Sequence, residues 1–65
     1  MKIKDIKVGM RVFWNDPDPE GNSGWGRVVR KQGDFSDAVI SLKMDDEGEV
    51  ECFVHELSLV ATQNY

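Results

Sequence analysis

The sequence predicts a very small all-β barrel of five strands. Three observations carry that reading. Five short apolar runs, separated by turn-forming residues, fill 65 residues. Within the runs, apolar positions alternate with polar ones, as in a strand with one buried face. No window longer than about twelve residues keeps a 3.6-residue period without a Gly or Pro, so a helical reading fails.

Each element follows from its residues. Ile3, Ile6 and Val8 alternate with lysines, which suits a lead-in strand or one helical turn over the open end of the barrel. Lys7-Val8-Gly9-Met10 reads as a turn. In the first firm strand Met10, Val12 and Trp14 share the inner face, and Arg11 and Phe13 point outward. Residues 15–24 form a breaker-rich loop in which Pro17 and Pro19 remove backbone donors. The second strand runs from Trp25 to Lys31, with Gly26, Val28 and Arg30 on one face and a bulge or close approach at Gly26. Ala38, Ile40, Leu42 and Met44 alternate through a third strand expected at the centre of the sheet. Asp45-Asp46-Glu47-Gly48 is a tight turn, with positive φ expected at the glycine. Val50, Cys52 and Val54 face inward on the fourth strand. His55-Glu56-Leu57-Ser58 breaks the alternation as a single 3₁₀ turn, and Leu59-Val60 is the last strand. The expected core is Val8, Met10, Val12, Val28, Ile40, Leu42, Val50, Cys52, Val54, Leu57 and Val60.

Composition bounds the possibilities. Sixty-five residues make a single domain, read as residues 7–60 of barrel, a 1–6 lead-in and a 61–65 tail. The lone cysteine, Cys52, excludes an internal disulfide and a multi-cysteine zinc site within the chain. No segment reads as a signal peptide or membrane span, and a single free thiol suits a reducing cytoplasm. The net charge of −4 is uneven: residues 1–11 carry +3, and residues 12–65 carry −7. An acidic body disfavours phosphate backbones and suits a basic protein or peptide face.

Val8-Gly9-Met10-Arg11-Val12, Gly24-Trp25-Gly26-Arg27-Val28-Val29, Asp46-Glu47-Gly48-Glu49-Val50 and Glu56-Leu57-Ser58-Leu59-Val60 together resemble the SH3-like barrel superfamily. The outline is similar to the small bacterial barrels of Tudor-like or KOW-like type, several of which have no assigned function. The resemblance covers about residues 7–60 and implies a five-stranded barrel with a 3₁₀ turn before the last strand. The aromatic first strand and closing tyrosine of a proline-peptide-binding SH3 domain are absent, so such a ligand is not implied.

The aromatic residues define the leading site. Trp14 and Trp25 flank the acidic loop and are expected to lie close across the first hairpin, Trp25 the more exposed. Ring faces beside carboxylates attract cations. The expected partner-binding surface is Trp14, Trp25, Phe35, Asp16, Asp18 and Glu20, serving a protein or basic peptide. The alternative is a nucleic-acid surface of Arg11, Arg27, Arg30 and Phe13, in which stacking aids phosphate contact. Lys31 and Lys43 extend that basic stripe, and pairing with Glu49 and Glu51 is its structural alternative. Asp16, Asp18 and Glu20 lack the further ligands of a calcium loop, so no metal is expected. Cys52 and His55 lie three apart, which on a strand sends them to opposite faces unless the turn at His55 rotates the histidine back, so no catalytic pair and no enzyme is expected. No cofactor is implied. Free strand edges leave a monomer or a weak homodimer open.

Overall fold

The computed structural model describes residues 2–18, 21, 23–35 and 37–60. It is all-β: five antiparallel strands in one curled half-barrel sheet, with a 3₁₀ turn before the last strand. The strands are β1 (Arg11–Trp14), β2 (Gly24–Gln32), β3 (Val39–Met44), β4 (Glu49–Phe53) and β5 (Leu57–Ser58). They pair in the order β4-β3-β2-β1-β5. The central strand is therefore β2 and not the third strand, because β1 pairs with β2 on one side and β5 on the other. The cleaner alternation of β3 reflects its inward apolar residues, whereas β2 breaks its own pattern.

That break is a β-bulge. Val28 pairs with Leu42 and Arg30 with Ser41, which leaves Val29 unopposed. Val29 and Arg30 both face solvent, so Arg30 leaves the face of Val28. Lys31 turns back toward the core and donates from Nζ to the Ile6 carbonyl at 3.3 Å. Ahead of the bulge, Gly26 allows the sheet to curl. A Cβ there would lie 2.8 Å from Met44 Sδ and 3.0 Å from the Lys43 carbonyl oxygen. The close approach expected at this glycine is present, and the bulge lies three residues further on.

The core is built from Ile6, Val12, Val28, Ile40, Leu42, Met44, Cys52, Val54 and Leu57, with Met10, Trp14 and Val50 packed against it. Two expected members are corrected. Val8 is 66% exposed and Val60 63% exposed. A 3₁₀ turn at Ile3–Asp5 delivers Ile6 instead, and the turn closed by Met10 N–H to the Lys7 carbonyl swings Val8 outward. At the other end, β5 begins two residues earlier than expected, at Leu57, and the chain bends away at Leu59 and Val60.

The β3–β4 hairpin corrects a further detail. Glu47 N–H donates to the Met44 carbonyl, and Met44 N–H donates to the Gly48 carbonyl. This is a three-residue loop, and its last residue must take a left-handed conformation. That residue is Glu47, at φ 75°, and not Gly48. A side chain in that region costs about 1 kcal/mol relative to glycine. Glu47→Gly should therefore raise the melting temperature. Gly26→Ala should lower stability by about 1–3 kcal/mol, because backbone atoms block the new Cβ. Paired thermal melts check both directions.

Candidate functional site

The site grows from the way the chain closes. After β4, the second 3₁₀ turn, Val54–Glu56, reverses the backbone so that Leu57 can pair with Trp14. Glu56 holds the turn. Its Oε2 accepts the Phe53 amide at 2.6 Å, and its Oε1 accepts the Trp14 indole N–H at 3.3 Å. The Glu56 carbonyl accepts Asn15 N–H at 2.8 Å. One residue thus fixes the inner tryptophan and the root of the long loop.

The described residues of the loop are hydrogen-bonded to one another. The Asp18 amide donates to Asp16 Oδ1 at 2.9 Å, the Asp16 amide donates to Ser23 Oγ at 2.9 Å, and Gly21 N–H donates to the Asp18 carbonyl. The Asp16 carboxyl lies so close to Gly21 that a Cβ there would overlap it. Glu20, the third acidic residue expected in the site, lies outside the described residues. Among the described residues, no three acidic, His or Cys side chains are grouped to hold a metal. No helix among them is long and apolar enough to cross a membrane.

Trp14 and Trp25 are both half-buried, on opposite faces of the sheet. Trp14 pairs with Gly24 and packs on the core, while Trp25 pairs with Phe13 on the outer face. The direct ring partner of Trp25 is Phe13, edge-on at 5.4 Å and 72°. This cover leaves the outward Phe13 only 8% exposed, a correction to its expected availability for stacking. Residues Trp14 and Trp25 nevertheless both border one cleft of about 510 Å³, together with Asp16, Met44, Asp45 and Asp46.

Arg11 reaches two of these lining residues. Its guanidinium sits 5.3 Å from the Trp25 ring centroid and donates to both Asp45 carboxylate oxygens, at 2.6 and 3.3 Å. Both partners of this ion pair are about half exposed, at 52% each. Solvent screening limits such a pair to roughly 0.2–1 kcal/mol. Arg11, Arg27 and Lys43 are successive cross-strand neighbours, and Glu49 ends the row opposite Lys43. Arg27 also donates to the Gly9 carbonyl at 3.2 Å. Arg30 lies past the bulge, opposite Ser41, outside that row.

The structure does not bring every expected residue together. Phe35 is 76% exposed but sits beyond the far end of β2, at the opposite end of the β2–β3 hairpin from Trp25. At ~3.3 Å per residue, that is roughly 20 Å or more along the strand. Asp18 is exposed beside the cleft without lining it. Met44, Asp45 and Asp46 join the cleft unannounced. The signal for them was the β2–β3 register, which pairs Gly26 with Met44.

Cys52 lies on β4 and His55 in the 3₁₀ turn, and both border one cleft with Phe53 and Glu56. Cys52 is 4% exposed, with its Sγ 3.6 Å from the Ile40 carbonyl oxygen. His55 is exposed and stacks on Phe53 at 6.0 Å. Burial, and secondarily the Glu56 charge, push the Cys52 thiol up from 9.0 to about 12.

No protein-family model matches the chain, and no curated protein or solved structure matches it significantly.

Two outcomes follow from this geometry. Glu56→Ala strips the acceptor from two N–H groups and should cost about 1–3 kcal/mol in urea unfolding, with Glu56→Gln less damaging. The folded-state pKa of Cys52 is raised, so below pH 9 both states hold the proton and no pH dependence arises from this group. Between about 9 and 12 only the unfolded state releases it, so stability should fall as pH rises through that window. Denaturation at pH 8 and pH 10.5, compared between the parent and Cys52→Ala, checks the sign.

Proposed function

We propose that this chain is a non-enzymatic binding module of SH3-like type that captures a basic segment of a protein partner. The observation that carries the reading is the cleft in which Trp14 and Trp25 meet Asp16, Asp45 and Asp46. Half-buried indoles supply contact area at low entropic cost, and the carboxylates orient and steer a cation. The acidic body adds to that steering. The strand order, in which β5 returns to β1 through a 3₁₀ turn, supports the SH3-like assignment. The buried Cys52 thiol suits a structural role in a reducing, cytoplasmic setting rather than nucleophilic chemistry.

A monomer is the proposed state. The outward side chains Glu49 and Glu51 mark the edge strand β4, and pairing two copies about Glu51 would set like charges directly opposite each other.

A second reading, single-stranded nucleic acid on the outer face, draws support from the Arg11–Arg27–Lys43 row. The buried Phe13 and the Arg11–Asp45 pair weigh against it.

Amide NMR with a lysine- and arginine-rich peptide tests the proposal. Shifts should centre on both indole N–H signals and on residues 44–46, and Trp25→Ala should abolish them. Shifts confined to Arg27, Arg30 and Lys43 on adding a short single-stranded oligonucleotide, with none from the peptide, would replace this reading with the second.

A further inference from the structure

One edge of the sheet is open. Among the described residues β4 pairs with β3 alone, and the strand order leaves its other side without a partner. The hydrogen bonds show which backbone groups face that side. Met44 N–H donates to the Gly48 carbonyl, so Met44 turns toward β4, and Asp45 N–H donates to the Trp25 carbonyl, so Asp45 turns toward β2. Backbone groups alternate in direction along a strand, which turns Leu42 and Ile40 toward β4 as well. Their partners Val50 and Cys52 take the ladder bonds. Glu49, Glu51 and Phe53 therefore point their amides and carbonyls to the open side. Phe53 N–H keeps this phase, since it donates to Glu56 Oε2 at 2.6 Å and not to a strand. An open row of such groups is a template for a further strand.

The side chains along the edge select what that strand carries. Half of the chain's 12 acidic residues fall between Asp45 and Glu56, with no Lys or Arg among them. Glu49 and Glu51 are exposed on the outer face of β4, and Glu51 stands opposite the uncharged Ser41. A second copy would bring the same charges to the same edge, whereas basic side chains would meet opposite ones. Next on that face is Phe53, 44% exposed. A cleft of about 570 Å³ borders this stretch, lined in part by Glu51, Phe53, His55 and Pro17.

We propose that a basic partner segment adds to the free edge of β4 as an extra strand. Residues two apart on a strand share a face, so the fitting segment has Lys or Arg opposite Glu49 and Glu51 and an apolar side chain opposite Phe53. Main-chain bonds supply affinity and the alternate side chains supply selection. Val50 also lines the cleft of Trp14 and Trp25, so the other face of the added strand turns toward that cleft. This inference deepens the reading above and rests on it in taking the partner segment to be basic.

The test uses the whole chain and two blocked peptides of one composition, followed by amide NMR. Val-Thr-Lys-Thr-Lys-Thr-Val presents the pattern in either chain direction, and Val-Lys-Lys-Thr-Thr-Thr-Val breaks it. The periodic peptide should shift the amides of Glu49 and Glu51, slow their hydrogen exchange and bind more tightly than the shuffled one. Glu51→Gln should weaken it roughly two- to fivefold. Glu51→Pro removes an outward donor and leaves the β3 ladder whole, so it should remove the response. Equal binding of the two peptides, or equal loss in Glu51→Pro and Glu51→Gln, overturns the added strand. Shifts confined to the indole N–H signals and residues 44–46 also overturn it and leave the cleft reading standing. Shifts at residues 49–53 without the indoles support the strand and overturn the cleft reading. Shifts there that follow protein concentration without peptide assign the edge to a second copy and overturn the proposal. No shift from either peptide overturns both readings. If Glu51→Pro loses the dispersed spectrum of a folded chain, the periodic peptide with N-methylated backbone nitrogens, added to the parent protein, carries the main-chain comparison.

Discussion

The Glu56 carboxylate is the contact on which the rest of this small sheet depends. A five-stranded meander ends with its last strand far from its first, and something must turn the chain back across the barrel mouth. The 3₁₀ turn does so, and Glu56 ties it down by taking the Phe53 amide on one oxygen and the Trp14 indole on the other. A charged acceptor makes both bonds stronger than neutral ones. With the turn fixed, Leu57 enters the core and pairs with Trp14, and the Glu56 carbonyl catches Asn15. The closure of the fold and one wall of the cleft are consequences of the same residue.

The curl of β2 supplies the other wall. Without a disulfide, a chain of 65 residues must form its core by packing alone, and the sheet has to bend sharply around a few side chains. Gly26 lets Met44 cross close over β2, and the unopposed Val29 resets the facing of the residues that follow. Ile6 then fills the core at under 2% exposure, with Lys31 reaching over it. The same bend leaves Trp25 facing outward and brings Asp45 beside it, where the Asp45 amide donates to the Trp25 carbonyl.

The inner faces of β1 and β3 were legible in the sequence because simple alternation holds through Val12–Trp14 and Ile40–Met44. The five strands, the long loop and the 3₁₀ turn are likewise carried by local residue chemistry. The parts that were not legible depend on long-range pairing. Alternation through β2 places Arg30 with Val28, and only the register against β3 reveals the bulge that separates them. Val8 and Ile6 satisfy the same pattern, and the choice between them is made by a single 3₁₀ turn. In the site, Trp14, Trp25 and Asp16 were visible as an aromatic–acidic group. Phe35 was drawn in by composition although the hairpin carries it to the opposite end. Asp45 and Asp46 read as turn residues until the β2–β3 register set them beside the indoles. Glu47 shows the same limit, since loop length and not the nearby glycine decides which residue takes the positive φ.

Charge gives the last step. The chain is acidic, yet three of its eight basic residues stand side by side across β1, β2 and β3. Two of these charges are answered locally, as Asp45 meets Arg11 and Glu49 faces Lys43, while Arg27 donates to the neutral Gly9 carbonyl. Asp16, Asp45 and Asp46 line the cleft, and none of its described lining residues is basic. On the proposed reading, a cation approaching that cleft is attracted by three carboxylates, whereas the basic row lies on the outer face of the sheet.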